Sequence, residues 1–492
     1  MKSKATMRYR ILISQLSRLL LAGVGIALFL LPLGLHAQTG PGGVGDNTTN
    51  VLWLKADAGT NQSSGGSAAT ANDDPVGEWL DQSGNSNDFL QGTAGERPLL
   101  QTSSNGINGL PTLEFDGIDD FLEDTDGESY INGSGSFSYF FITRSNSTGT
   151  DVGFFDTESP DNSDDEISFR YDQAGANSGR TNIIKFGINT TGGTQQLESS
   201  QTINSVNVQS VNPQLHYISW NSGSNLEYYL DGTTDSSPDI NGGAVTGALQ
   251  NSSSVLIGRG PKDASDAWDG DVAEVILYDT QLNTTERQIV ENYLSSRYNL
   301  SIPNDYFAYE GVYNNDVAGI GRTNSTDTHL SAYSDILGLE IVASDFANGT
   351  FAMLAHNGGS TSFSTTEQPD GNSKVQKIGQ EWIVDLNGAA SEEVDVNLDL
   401  TGFSLPSGFN DYGIYVDEDG NGDFTSGGTF YPVSNVSGST YQATNVTIGD
   451  SDYITIVAVD REVAFQSGTQ SVFEDASGIN ITAELNFASS SN

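Results

Sequence analysis

Short runs of apolar residues at every second position, separated by clusters of Gly, Asn, Asp, Ser and Thr, recur along most of the chain and commit it to β-structure. Leu226, Tyr228 and Leu230 alternate with polar neighbours ahead of Asp231-Gly232. Val394, Val396, Leu398 and Leu400 alternate with Asp395, Asn397 and Asp399. A period of two turns one face of a strand into a core and the other to water. The chain has no cysteine, which removes both disulfides and thiol catalysis. Core burial must therefore hold it together, with bound metal as the one further aid. At 492 residues and 36% hydrophobic content it can bury more than one core, and its length suggests two to four domains.

The N-terminus reads differently. Lys2, Lys4, Arg8, Arg10 and Arg18 precede an apolar run from Leu19 to about Leu35, followed by Leu35-His36-Ala37. A basic lead, an apolar stretch and a small residue before Gln38 describe a secretory signal peptide, residues 1–37, cut after Ala37. A retained anchor is the alternative, since the run sits at the short edge of what spans a bilayer. No later stretch is long and apolar enough for a span, so a secreted or cell-surface location is expected. Residues 1–37 carry five basic and no acidic residues, so their loss takes the net charge from −45 to −50. Such acidity repels phosphate backbones and excludes nucleic acid as a partner class. It suits a calcium-rich exterior, although acidity also keeps a large surface soluble with no ion bound.

After a linker, 38–49, the β pattern fills residues 50–300. There one helix stands out. Asn283 and Glu286 are spaced as a capping box, and Ile289, Val290, Tyr293, Leu294 and Tyr298 form one apolar stripe before Pro303. We place a domain boundary near residue 301. A second β region runs to about residue 460 and ends in the apolar strand Tyr453 to Val459. In 461–492, Ile479, Ile481, Ala483, Leu485 and Phe487 alternate, but a lone strand pair is not stable by itself. Either the chain is a fragment of a longer protein, the reading we favour, or this tail adds to an edge of another sheet.

Five stretches in order carry a resemblance. They are Val51-Leu52-Trp53-Leu54, Trp79 to Asn87 (WLDQSGNSN), Leu113 to Phe121 (LEFDGIDDF), the Leu226–Gly232 hairpin, and Asp269 to Tyr278 (DGDVAEVILY). Together they resemble the LamG-like, concanavalin A-like jellyroll domains of bacterial surface proteins. The resemblance implies an all-β protein led by a jellyroll β-sandwich. Val317 to Arg322 and Glu381 to Val384 resemble a less characterised β domain that follows such jellyrolls, expected as a second sandwich. Val472 to Gly478 (VFEDASG) is similar to the opening of a Calx-β domain, a calcium-binding family common in adhesins.

The sharpest metal candidate is Asp417-Glu418-Asp419-Gly420-Asn421-Gly422-Asp423. Asp417, Asp419, Asn421 and Asp423 place oxygens at alternate positions, with glycines between them to let the backbone curl around a hard cation such as calcium. An EF-hand would need Glu at position 12, where Gly428 stands. Ile414–Val416 and Thr429–Val433 read as strands, so this is a hairpin loop, and a plain Asx-rich turn is the competing reading. The acidic stretch 156–166 lacks such spacing and reads as a solvated loop.

For catalysis, Asp269, Asp271 and Glu274 approach the Glu-x-Asp-x-x-Glu strand of jellyroll glycoside hydrolases, but with Asp at the nucleophile position. His216, His329 and His356 are scattered and give no zinc pattern. No Gly-x-Ser-x-Gly elbow or phosphate-binding loop occurs. For sugar binding, aromatic faces and Asp/Asn side chains matter most. The domain offers Trp79, Trp220, Tyr228, Tyr229 and Trp268, most of them expected in the core. Trp268, within the polar segment 262–270, is the expected rim residue, with Tyr228 and Asp116 as further ligand contacts. The resulting expectation is a non-catalytic surface binding or adhesion protein for an extracellular glycan or matrix protein. A glycan-cleaving enzyme and a structural spacer are the alternatives.

Overall fold

A computed structural model describes residues 40–157, 167–250, 252–259, 266–342 and 346–461, and the backbone of two short paired strands, Val463–Phe465 and Ala483–Leu485. The expected leader, the Calx-β-like opening and most of the acidic stretch lie outside the described residues. Among the described residues no helix is long and apolar enough to cross a membrane.

The chain is all-β, built as two antiparallel sandwiches. In the first, a nine-stranded sheet carries Ser136–Ser145, Gln214–Asn221 and Asp269–Tyr278 at its centre, and a ten-stranded sheet faces it. Their inner faces enclose one core that includes Phe115, Phe137, Phe141, Phe169, Trp220 and Trp268. In the second, an eight-stranded sheet built around Val375–Asn387 and Tyr453–Val459 packs on a five-stranded sheet through Ile320, Leu339, Trp382, Val396 and Ile454. Residues 226–230 and 394–400 fall in the register the alternation requires: Tyr228 and Leu230 point inward while Glu227 is exposed, and Val394, Val396 and Leu398 are buried. Asp231 (φ 47°) and Gly232 (φ 71°) close a two-residue hairpin onto Thr233. Both central residues are left-handed, which is what the twist of paired strands favours.

The Trp79–Asn87 stretch does structural duty. Asp81 accepts hydrogen bonds from the backbone N–H groups of Trp53 (2.9 Å) and Ser83 (2.9 Å), and Asn85 and Asn87 donate to the carbonyls of Asn50 and Val51. The loop thus satisfies the free edge of the strand Asn50–Lys55, which would otherwise be open to further pairing.

The helix Thr284–Tyr298 begins with the expected capping box: Asn283 accepts from Thr285 and Glu286, and Glu286 accepts from Asn283. It ends at Asn299, left-handed at φ 53°, ahead of Pro303. Its stripe covers the outer face of the nine-stranded sheet at Phe140, Tyr217 and Ile276. The opposite face is buried as well, because Val317, Phe351, Met353 and Ile383 of the second sandwich join the same cluster. That burial takes in polar Gln288, Asn292, Ser295 and Ser296, which an amphipathic surface helix would keep in water. Packing is therefore continuous across residue 301.

The first described residues complete this junction. Gly42 bridges Ala318 and accepts a hydrogen bond from Gly319 N–H (3.1 Å). His329 Nε2 meets the Gly43 carbonyl (3.1 Å), and the Tyr278 hydroxyl donates to that of Val44 (3.0 Å). At Gly43 (φ 79°) a Cβ would come within 2.7 Å of the Ala332 Cβ. Glycine is needed there for both its conformation and its size.

Candidate functional site

The aromatic residues expected at a jellyroll rim are inside. Trp268 and Tyr228 are 0% and 1% exposed, which corrects the expectation that they reach a ligand. Trp268 shares the inward face with Val272, and its ring stands 5.1 Å from those of Phe154 and Tyr171. Its polar neighbour Asp269 faces outward, so the polarity around it reflects strand alternation and not a rim. Tyr228 lies against His216, their Oη and Nδ1 2.9 Å apart. Burial drives the His216 pKa down to about 3, so this imidazole stays neutral in the core. Trp79 and Trp220 are buried too.

The hydrolase-like carboxylates are also committed. A β-bulge at Val272–Glu274 brings Asp271, Ala273 and Glu274 to the outer face of the sheet. There the helix and its neighbours cover them. Glu274, 1% exposed, accepts from Trp53 Nε1 (2.7 Å), Tyr293 Oη (2.9 Å) and Tyr298 Oη (2.8 Å), with Arg297 Nε at 3.4 Å. Asp271 is held by the Thr112 hydroxyl and by Arg144, whose Nε lies 2.9 Å away. Glycosidase carboxylates must face a scissile bond across open space; these two face protein donors.

An open groove lies instead at one end of the jellyroll, where four separate turns meet the segment leaving the helix. It has a volume of about 630 Å³. Asn108, Asn204, Asn212 and Asn299 line it, together with Asp231, Ile203, Val206, Pro213 and Ile302. All four asparagines are exposed. The side chains of Asn204, Asn212 and Asn299 make no hydrogen bond among the described residues, whereas Asn108 Nδ2 donates to the Arg297 carbonyl (2.8 Å). Asn108 (φ 51°), Asn204 (φ 48°), Asn299 (φ 53°) and Asp231 (φ 47°) are all left-handed, the region that Asn and Asp tolerate best among residues with a side chain. The Asp231 carboxylate accepts from Leu215 N–H (2.8 Å), and burial pushes its pKa up to about 6. Free carboxamides offer both donors and acceptors, and with one carboxylate beside small apolar patches they can hold a polyhydroxylated ligand without a counter-ion.

Asp116 is exposed and sits at the far end of the strand Thr112–Asp116 from the Asn108 turn. Its Oδ1 accepts from Ile118 N–H (2.8 Å), and Asp120 accepts from its own N–H (3.1 Å). With Asp119 and Asp120 it forms the one trio of acidic residues among the described residues whose oxygens lie within 4.8 Å of one another. Burial, with Asp116 adding its charge, pushes the Asp120 pKa up to about 7.

Asp417 to Asp423 form a hairpin loop between Asp411–Asp417 and Gly428–Pro432. Asp417 is fully buried and accepts from Gly422 N–H (2.9 Å), Asn421 accepts from Asp423 N–H (2.6 Å), and Asp423 accepts from Thr425 N–H (3.0 Å). Burial, with Asp419 close by, pushes the Asp417 pKa up to about 6. The donor set is all oxygen and fits a hard divalent cation, while each side chain also serves the turn itself.

Nothing matches the chain among curated proteins. Similar solved structures include the fourth domain of a GH43 extracellular arabinanase from Geobacillus stearothermophilus in complex with arabinotriose, 15% identical over 49% of this chain and 97% of that one, TM-score 0.30. They also include the binding domain of botulinum neurotoxin serotype G (9% identity, 83% and 92% coverage, TM-score 0.32) and Trypanosoma rangeli sialidase in complex with sialic acid (14%, 54% and 36%, TM-score 0.31). Two family models match stretches of the sequence. Residues 339–452, in the second sandwich, match a domain of unknown function (DUF8202), and residues 117–286 of the jellyroll match the concanavalin A-like lectin/glucanases superfamily.

Proposed function

We propose that this is a secreted or cell-surface, non-catalytic binding protein whose jellyroll holds an extracellular glycan in the end groove. The observation that carries this reading is the set of exposed carboxamides, Asn108, Asn204, Asn212 and Asn299, that line one groove together with Asp231. A sugar presents vicinal hydroxyls that both donate and accept, and amides match that pattern in both senses. The concanavalin A-like superfamily match is in keeping with it, and so is the engagement of Asp271 and Glu274 by protein donors. We further propose calcium at Asp417, Asp419, Asn421 and Asp423, where it would relieve the crowding of charge around buried Asp417.

Retention of the purified protein on cellulose, xylan, mannan, β-glucan and arabinan tests the first reading, with released reducing ends assayed in the same tubes. Retention on one of them without sugar release is expected, and it should be lost in Asp231→Asn/Asn212→Ala. Release of sugar would overturn the non-catalytic reading, and retention unaffected by the variant would move the site elsewhere. For calcium, the melting temperature should rise with Ca²⁺ and fall with chelator in the wild type but not in Asp417→Asn/Asp419→Asn. An identical response in both proteins would remove the ion from this loop.

A further inference from the structure

The second sandwich has its own groove, of about 410 Å³, lined by Thr361, Ser362, Phe363, Thr401, Phe403 and Ser404, with Gly402 and Pro406. Phe363 lies on the short strand Phe363–Ser364 at the margin of the eight-stranded sheet, and Phe403 lies in the turn that follows Ser391–Asp399 of the five-stranded sheet. Both are half-buried. Phe363 meets Phe403 edge to face at 6.2 Å and Tyr412 at 6.1 Å, and Tyr412 meets Tyr441 at 5.4 Å. The two sheets thus close on an aromatic array whose outermost rings are left showing in the groove.

The polarity of the lining decides what could sit there. In a chain of net charge −45, this lining contains no charged residue. The nearest carboxylate on the adjoining strand, Asp399, already accepts from the Thr401 N–H (2.9 Å) and hydroxyl (2.6 Å). The hydroxyls of Thr361, Ser362 and Ser404 make no hydrogen bond among the described residues, and those residues are exposed. An anionic ligand would meet no cation here and a repulsive surface around it, while a cationic one would find more favourable sites on the rest of the molecule. A purely apolar ligand would strand the hydroxyl rim without partners. A neutral sugar ring satisfies both parts, since its C–H face packs on aromatic rings and its hydroxyls bond Ser and Thr.

We propose that this groove is a second, separate binding site for a neutral glycan, with Phe363 and Phe403 as its platform and Thr361, Ser362 and Ser404 as its hydrogen-bonding rim. It shares with the jellyroll reading only the class of ligand, so the two can fail independently. Two sites facing one polymer would raise retention by avidity with no new contact.

The test is isothermal titration of the full chain with cellohexaose, xylohexaose, laminarihexaose, mannohexaose and maltohexaose. Ser404→Trp, at an exposed position that leaves the core untouched, should block the groove and weaken one of these by roughly tenfold or more. Phe363→Ser should do the same if the variant melts as the wild type does. Asp231→Asn/Asn212→Ala should leave that binding in place. If no oligosaccharide loses affinity in Ser404→Trp, the site does not exist as proposed. Uptake of an anilinonaphthalene dye that Ser404→Trp abolishes, without any oligosaccharide binding, would assign the groove as plain apolar surface and overturn the proposal equally.

Discussion

The two sandwiches spend their aromatic residues differently. The jellyroll, with sheets of nine and ten strands, fills its interior with rings: Phe137 stacks on Tyr139 at 4.4 Å, Phe154, Phe169, Tyr171 and Tyr228 surround His216, and Trp268 packs on Phe154 and Tyr171. The second sandwich is smaller and fills its core mainly with Ile, Leu and Val around Trp382. A ring that completes a core is unavailable to a ligand, so the jellyroll is left with carboxamides on its turns. The aliphatic sandwich needs fewer rings inside and shows Phe363 and Phe403 at its margin. In both, surface chemistry is what remains after the core has been filled.

The contrast is easiest to break with truncations. Trp268→Ala should cost about 3–5 kcal/mol, the usual range for emptying a fully buried ring site, whereas Phe403→Ala at the half-buried margin should cost about 1 kcal/mol. Urea denaturation of both variants decides it, and equal costs would mean that the rings are not divided in this way. Glu274→Ala comes next: it leaves the Trp53 indole N–H and two tyrosine hydroxyls without their acceptor and takes one of its two charge partners from Arg297, at roughly 3 kcal/mol. A Glu274 variant that kept its stability would put that carboxylate back among candidates for chemistry.

The smallest effect is one of pH. The unfolded chain protonates histidine near pH 6.5, but burial holds His216 at about 3 in the jellyroll and His329 at about 4 in the second sandwich. Below pH 6.5 the unfolded state therefore takes up protons that the native state refuses, and these groups lower stability as the pH falls. Asp120, Asp231 and Asp417, raised by burial to about 7, 6 and 6, act in the opposite direction, since the native state takes up their protons first. The histidine contribution is isolated by difference. The melting temperature of His216→Phe should fall less between pH 7 and pH 5 than that of the wild type, and parallel curves would show that His216 is not buried as described.

Much of the fold was legible because its signals are local. A capping box four residues long, an Asp-Gly turn, and Val394 to Leu400 at period two need no knowledge of distant chain. The Asp417–Asp423 hairpin was readable for the same reason. The jellyroll groove was not. Asn108, Asn204, Asn212, Asp231 and Asn299 come from four turns and a helix end scattered over the sequence, and an Asn or Asp at a left-handed position is already explained by the turn it makes. Turn chemistry therefore hides whatever else those side chains do. Trp268 was misplaced for the converse reason, since polar residues on both sides of a strand entry resemble a rim when the alternation is not yet visible. Phe363 and Phe403 carry no local signal at all, because they meet only when two sheets close.

The strap Gly40–Val44 has a consequence for the order in which this molecule can be completed. A chain is made from its N-terminus, and domains fold as they emerge. The strap is made well before its partners Ala318, His329 and Ala332. The jellyroll can pair its strands while the strap waits, short and glycine-rich, with little apolar surface to aggregate in the meantime. The joint between the sandwiches then closes only when the strands from Asn315 to Ser334 have arrived. A stalled or truncated chain would be left with an open seam along the face of the helix Thr284–Tyr298 that carries Gln288, Asn292, Ser295 and Ser296, and a protease applied during refolding should cut there first.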